Sequence, residues 1–366
     1  MNAGVQVFVY PEELDHTAPD ELAAQILDLG CDAVSVAVAY HRARRVFPRH
    51  RRVSVLTGST LYIEPQSIRY GSLVPSGVRS AELLRFREAC DRAGLRFRAW
   101  IVGLHNDELS TAHPDAAARL LDGSLAGHSL CPSAPEAIEY VAALAGDVAA
   151  QLGPEAVDLE AGLYPAWEPS YTLTLALEPL SEPARLLGAQ CFCASCRPLF
   201  GQDAEARAHT AAGPPFGDGE PDEGIAAELA AGRAGGVARL VQAVAASVHD
   251  AGSLLRLFAS GPPKQAALQG LSPDSIAAAD ALLFGCGPLA GAELDERFAG
   301  LRALAGRSGA VSTNWTPDRT ELAADAERLA AAGAEGLALY NLSLVPEAGL
   351  EALRAAAHAF LAAVPA

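Results

Sequence analysis

Basic charge is scarce in this 366-residue chain: 27 Lys and Arg stand against 44 Asp and Glu, a formal net charge of −17. A surface so acidic repels phosphate backbones and anionic lipid, which sets aside nucleic acid and membrane surfaces as partners. Lysine itself occurs once, as Lys264, so Schiff-base chemistry would need that one residue in the site. Cysteine is sparse: seven residues are an odd number and too few for a disulfide scaffold, so thiols or a metal site are expected. No run of about 18 apolar residues escapes a charge, Pro or Gly, so no transmembrane helix is expected. Met1-Asn2-Ala3-Gly4 carries no basic n-region and leads straight into a strand-like segment. No signal peptide is read there, and a cytoplasmic location is expected. Half of the residues are hydrophobic, enough for a sizeable core.

One pattern recurs in what is present. A helical segment rich in Ala, Leu and Arg stops at a Gly, and a short apolar run follows that ends in polar or aromatic residues. The runs are Val5–Tyr10, Ala33–Tyr40, Phe97–Leu104, Ala156–Leu159, Leu254–Ala259, Ala281–Phe284, Ala310–Thr313 and Gly336–Leu342. Helices are predicted over 20–29, 81–93, 135–152, 237–251, 273–279, 294–304, 320–332 and 350–363. Caps at the starts and glycines at the stops mark the boundaries. The apolar runs are continuous rather than alternating, as in parallel strands covered on both faces. Eight such units close most simply into an α/β fold of the (β/α)8 TIM-barrel type, one domain spanning 1–366. An open doubly wound sheet is the weaker reading, because Pro11-Glu12-Glu13 stands where a Gly-rich phosphate turn would be.

Two stretches exceed a minimal unit. Residues 42–78, after the second strand, open with a basic cluster of Arg42, Arg44, Arg45, Arg49, Arg51 and Arg52 with His50. Such a cluster reads as a solvated loop balancing nearby acids, or as a lid recognising a carboxylate or phosphate. Residues 162–236, after the fourth strand, are longer still, and Ala211–Gly224 is expected to be a mobile loop. Both excursions follow strands, so both belong to the C-terminal face of the barrel, where such enzymes keep their sites.

Cys191, Cys193 and Cys196 form a C-x-C-x-x-C cluster within the second excursion. Tetrahedral zinc takes four soft ligands on tight turns, and Cys131 in Leu130-Cys131-Pro132-Ser133 is the best fourth, ahead of His209 and Cys286. A four-sulfur Zn2+ shell leaves no open position for water, so the ion would be structural and would pin the excursion to the barrel. A chance cluster of free thiols is the alternative.

These segments resemble the barrel domain of the β-galactosidases of glycoside hydrolase family 42, over roughly residues 98–200. Cys131-Pro132-Ser133-Ala134-Pro135, a strand ending in Glu160, and Cys191-Phe192-Cys193-Ala194-Ser195-Cys196 carry the likeness. The whole also looks like uncharacterised bacterial barrels of glycoside-hydrolase type. The resemblance implies a zinc held by the four cysteines and assigns Glu160 the acid/base position. The chain departs from the family in two places. Leu159 precedes the acid where the family has Asn. At the end of the seventh strand, where the family has its Glu nucleophile, stands Ser312-Thr313-Asn314-Trp315-Thr316-Pro317.

The fourth strand places Asp158 and Glu160 on one face, about 6–7 Å apart along the strand. Val157 and Leu159 face the helices, so both carboxylates point inward. Like charges so placed would raise one pKa, as a general acid requires. With no strand-7 carboxylate, the second group is Asp158 assisting, a loop carboxylate such as Glu168 or Asp107, or none. Other strand ends supply Tyr10, Tyr40, His41, His105, Asn106, Tyr164, Trp167, Asn314, Trp315, Tyr340 and Asn341. Aromatic faces stack on sugar rings, and Asn, His and Tyr bond hydroxyls. His41, His105 and Glu160 also admit a reading as ligands of a catalytic metal.

Three functions follow. The first is a carbohydrate-active hydrolase with Glu160 as proton donor and Asp158 assisting. The second is a sugar isomerase, epimerase or lyase pairing His105 with Glu160. The third is a silent carbohydrate-binding barrel that lacks the strand-7 nucleophile. In each the partner is a small carbohydrate or sugar-like molecule; the oligomeric state, a homo-oligomer included, stays open.

Overall fold

A computed structural model describes residues 4–166, 180–213, 219, 222–319 and 321–364. Eight parallel strands form its centre: β1 (Gly4–Val9), β2 (Ala33–Tyr40), β3 (Arg96–Val102), β4 (Ala156–Glu160), β5 (Leu254–Ser260), β6 (Ala281–Gly285), β7 (Ala310–Asn314) and β8 (Gly336–Tyr340). Each pairs with its sequence neighbour, and β1 pairs with both β2 and β8, so the sheet closes on itself. Helices cover the outside, which makes the fold a (β/α)8 barrel.

Local chemistry places the helix ends. Ser80 accepts a hydrogen bond from the Leu83 N–H (3.2 Å) at the start of helix Ala81–Ala93, and Gly94 closes that helix in the left-handed conformation. Pro135 opens helix Pro135–Leu152, and Gly153 closes it in the same way. Two apolar layers result. Residues such as Val157, Leu159, Val141 and Leu144 pack between strands and helices. Phe8, Tyr10, Trp100, Val102 and Leu283 pack inside the barrel.

The segment after β2 is built rather than loose. Ala43–Phe47 and Arg52–Leu56 pair as an antiparallel hairpin, and Thr60–Leu61 adds antiparallel to the end of β2. The segment between β3 and helix Pro135–Leu152 holds a short helix, Asp107–Ala112, and a second hairpin, Ala117–Arg119 with Leu125–Leu130, which the sequence pattern does not announce. The segment after β4 contains helices Glu182–Gly188 and Ala204–Ala212 around the cysteine turn, with a small core of Leu187, Phe192, Ala208, Ile225 and Leu229. Of the expected loop Ala211–Gly224, residues 214–218, 220 and 221 lie outside the described residues. Ala211 and Ala212 finish one helix, and Glu223 and Gly224 begin the next.

Two expected helices differ. The helix read over 237–251 runs Glu223–Asp250. Its glycines argue for a break by propensity, but they serve close approach: a Cβ at Gly232 would lie 2.6 Å from the Phe200 ring, and one at Gly236 2.2 Å from Ser133 Oγ. Tertiary contact therefore outweighs the local cost. Residues 273–279 form successive turns, while Pro263–Leu268 is helical. Ser275 Oγ accepts from Ser272 N–H (2.9 Å) and Ser272 Oγ accepts from Ser275 N–H (3.1 Å), which satisfies the backbone without a helix.

Candidate functional site

Glu160 ends β4 at the C-terminal mouth of the barrel. Ala161, the next residue, adopts φ +51°, an uncommon conformation for a side chain with a Cβ, and turns the chain sharply there. Glu160 lines a pocket with His105, His128, Tyr164, Phe258, Ser260 and Gln269. The Trp100 indole N–H donates to Glu160 Oε2 at 2.7 Å. Burial pushes the Glu160 carboxyl up to about 7, and the Trp100 hydrogen bond only partly opposes this. The carboxyl is therefore half protonated near neutrality.

His105 follows β3 and shares the pocket. Its ring packs edge-on to His41 (6.0 Å between centroids) and to His128 (5.3 Å). Burial and these two neighbours hold His105 well below the usual imidazole range, and burial lowers His41 and His128 as well. The site thus combines a protonatable carboxyl with neutral imidazoles. His128 is the residue that sequence reasoning missed. It reaches the pocket from the hairpin after β3, and no local motif marks it.

Asp158 does point inward, but it lies one layer deeper and does not line the pocket. Ser35 Oγ donates to its Oδ2 at 2.6 Å, and Arg256 Nη1 forms an ion pair with Oδ1 at 3.2 Å. The raised pKa of Glu160 comes from burial, not from Asp158, which corrects the expectation of two mutually repelling carboxylates. Among the described residues lining the pocket, Glu160 is the one carboxylate. Asp107 is held by Arg42 (3.1 Å), and Glu168 and Trp167 lie outside the described residues.

Three tyrosines gather beside the pocket. Tyr10 bonds through its hydroxyl to Tyr340 (2.6 Å) and Tyr40 (3.1 Å). The Arg45 guanidinium lies 3.8 Å from the Tyr10 ring centroid and donates to Glu12 at 2.6 Å. Arg49 and His50 both meet Glu13 (2.7 Å each), so much of the basic cluster is spent on neighbouring acids.

Several strand-end residues have other work. Asn106 caps helix Asp107–Ala112 by accepting from Leu109 N–H (3.0 Å) and donates to the Tyr140 hydroxyl (3.2 Å). Asn341 follows a cis peptide after Tyr340 and accepts from Ser343 N–H at 2.9 Å. The Asn314 backbone carbonyl accepts from Arg319 (2.7 Å), and Trp315 packs against Gly349. Tyr164 gives its ring to the pocket wall, but its hydroxyl turns away to Ser133 Oγ (2.6 Å) and Cys196 Sγ (3.5 Å). For Asn106, Asn341 and Tyr164, side-chain oxygens expected to face substrate serve nearby backbone and core groups, because strand ends must satisfy their own backbone groups first.

The cysteines converge as expected. The sulfurs of Cys131, Cys191, Cys193 and Cys196 all lie within 4.8 Å of one another and are buried. Cys131 Sγ is 3.4 Å from Cys196 Sγ, 3.5 Å from Cys193 Sγ and 3.9 Å from Cys191 Sγ. Backbone N–H groups of Arg119 and Ser133 point at Cys191 Sγ (3.3 Å) and Cys131 Sγ (3.4 Å). Among the described residues no other set of three or more His, Cys, Asp or Glu is placed to hold an ion, so His41, His105 and Glu160 are not so arranged, and His209 and Cys286 stand apart from the cysteines.

Solved structures share this architecture. The catalytic domain of a β-amylase from Paenibacillus polymyxa superposes with a TM-score of 0.63 at 11% identity, covering 100% of this chain and 99% of that one. The chain shares the TIM-barrel fold of that catalytic domain. A β-galactosidase from the Antarctic haloarchaeon Halorubrum lacusprofundi gives 0.58 at 13% identity, covering 98% of this chain and 58% of that one. The α-L-fucosidase isoenzyme 2 from Paenibacillus thiaminolyticus gives 0.55 at 12%, covering 97% and 49%. This chain therefore spans only about half of the latter two proteins. At such identities the likeness carries the barrel and not the chemistry. No family model matches the chain, and no curated protein matches it in sequence. Among the described residues, no helix is long and apolar enough to cross a membrane.

Proposed function

We propose that this barrel is a carbohydrate-active hydrolase in which Glu160 is the general acid. The observation that carries the reading is the Glu160 carboxyl, raised to about 7 by burial, at the C-terminal end of β4 in a pocket beside Trp100 and the tyrosine cluster. A carboxyl still partly protonated at neutral pH can donate to a departing glycosidic oxygen. His105 and His128 are neutral and supply acceptors for a sugar hydroxyl or for the attacking water. Asp158 is assigned to holding Arg256 rather than to the chemistry.

The four cysteines fit a zinc ion. A ZnS4 tetrahedron with Zn–S about 2.3 Å needs sulfurs about 3.8 Å apart, and the separations from Cys131 are 3.4 to 3.9 Å. Cys131, Cys191, Cys193 and Cys196 would hold the ion. Its contribution is structural, tying the segment after β4 to the loop before helix Pro135–Leu152.

A second reading follows from the same pocket. One carboxyl with two neutral imidazoles, and no second carboxylate among the described lining residues, also suits proton relocation on a sugar, as in an isomerase, epimerase or lyase. The experiment is a panel of aryl glycosides and free sugars assayed in deuterated water, with Glu160→Gln alongside. Hydrolysis that falls at least about 10²-fold in Glu160→Gln while ligand-induced thermal stabilisation persists supports the first reading. Deuterium entering a sugar without bond cleavage supports the second. Full turnover in Glu160→Gln overturns both.

A further inference from the structure

Five arginines of the described chain are buried: Arg45, Arg98, Arg233, Arg256 and Arg319. Four of them meet carboxylates: Arg45 meets Glu12 (2.6 Å), Arg98 Glu155 (2.8 Å), Arg256 Asp158 (3.2 Å) and Arg319 Asp325 (2.5 Å). Arg233 is the exception. Among the described residues its hydrogen bonds go to two carbonyl oxygens, Leu268 O (3.3 Å) and Cys191 O (3.2 Å), and its Nε has no partner. Among the described residues it has no carboxylate partner. Its guanidinium carbon lies 5.0 Å from the Tyr164 ring centroid and 5.5 Å from that of Phe200. The Cys191 carbonyl it reaches belongs to a clustered cysteine, and the hydroxyl of the Tyr164 ring it faces lies 3.5 Å from Cys196 Sγ, so the guanidinium sits beside the sulfur cluster.

A guanidinium stays charged in proteins, and burying it without a compensating charge is strongly unfavourable. Four neutral thiols, or the same sulfurs paired as disulfides, would supply none. We propose that Arg233 is the counter-cation of a four-thiolate centre holding a divalent metal ion, with Cys131, Cys191, Cys193 and Cys196 as ligands. Four thiolates and one divalent ion leave a net charge of −2, of which Arg233 offsets one unit. The helix is built for this approach, since Gly232 and Gly236 flank Arg233 in sequence and let its backbone close on Phe200 and Ser133. Arg233 does not ligate the ion; it is a positioning residue that stabilises the charge of the ligand set and, through the Cys191 carbonyl, the ligand turn itself. The inference rests on the metal reading of the cysteines and is independent of the role of Glu160.

The test uses the full chain and zinc as the probe. Metal content is measured by atomic emission, and zinc affinity by competition with a chromophoric chelator, for wild type, Arg233→Met and Arg233→Lys. Cobalt substitution reports through its sulfur-to-metal absorption whether four thiolates still bind. The expected result is one zinc per wild-type chain, affinity about 10–100-fold weaker in Arg233→Met, and most of that loss recovered in Arg233→Lys, which keeps the charge without the planar fork. Wild-type affinity in Arg233→Met, or Arg233→Lys no tighter than Arg233→Met, overturns the proposal while the metal reading stands. If Arg233→Met does not fold, Arg233→Lys decides: a loss under about tenfold supports the charge role, and a larger one overturns it. Wild-type protein that binds no metal removes the metal reading and this proposal together.

Discussion

The Trp100 indole N–H donates to Glu160 Oε2 at 2.7 Å, from β3 to the last residue of β4. That bond favours the ionised carboxylate, while burial favours the protonated one, and burial wins. The balance is adjustable, and it predicts how the site responds to pH.

A general acid works while protonated, so kcat/KM falls as pH rises through about 7, the value at which Glu160 is half ionised. Trp100→Phe removes a donor to the carboxylate and moves that limb upward. Carbon-13 NMR of the labelled Glu160 carboxyl gives the same titration without substrate. A limb that stays put in Trp100→Phe would show that the bond does not set the acidity.

Stability should carry the same signature with a definite sign. The unfolded glutamate titrates near ~4.3, and the folded one at about 7. Between these values the folded state keeps a proton that the unfolded state has lost, so stability declines as pH rises across that window and is level above it. Glu160→Gln removes the penalty. Urea unfolding should find the variant more stable at pH 8 by up to roughly 3 kcal/mol, and unchanged at pH 4.

Asp158 answers a different experiment. Asp158→Asn leaves Arg256 buried beside a neutral amide and should cost about 3–5 kcal/mol of stability, with turnover per folded molecule little altered. Arg256→Met with Asp158→Leu should cost less than the single change, because both charges leave together. A stable Asp158→Asn variant with lost turnover would return this residue to the catalytic machinery.

Zinc bound at the cysteines stabilises by mass action, about 4 kcal/mol at a free concentration a thousandfold above Kd. Chelation or Cys193→Ser should therefore lower the unfolding midpoint and free the segment after β4, read as faster amide exchange over helix Glu182–Gly188. Because Tyr164 joins the pocket wall to Ser133 and Cys196, ligand binding should weaken as well. A chelated protein with an unchanged midpoint would count against the ion.

Much of this molecule was written in local pattern. Eight continuous apolar runs, each ended by polar residues and most preceded by a glycine-stopped helix, are enough to specify a closed parallel barrel, because strand burial and helix capping are decided within a few residues. The C-x-C-x-x-C spacing likewise supplied three of the four clustered sulfurs, and strand parity placed both Asp158 and Glu160 inward. What parity cannot decide is company. Whether a buried carboxylate meets an arginine or a pocket depends on which distant strand supplies its neighbour. β5 brings Arg256 to Asp158, while β3 brings Trp100 to Glu160. His128 enters the site from a hairpin whose register is set by long-range pairing. The glycine-rich start of helix Glu223–Asp250 reads as a break until Phe200 and Ser133 are seen against it. Local sequence determined the scaffold; tertiary structure alone distributed the charges within it, because a buried charge is stabilised by whatever the fold places beside it and not by its neighbours in the chain.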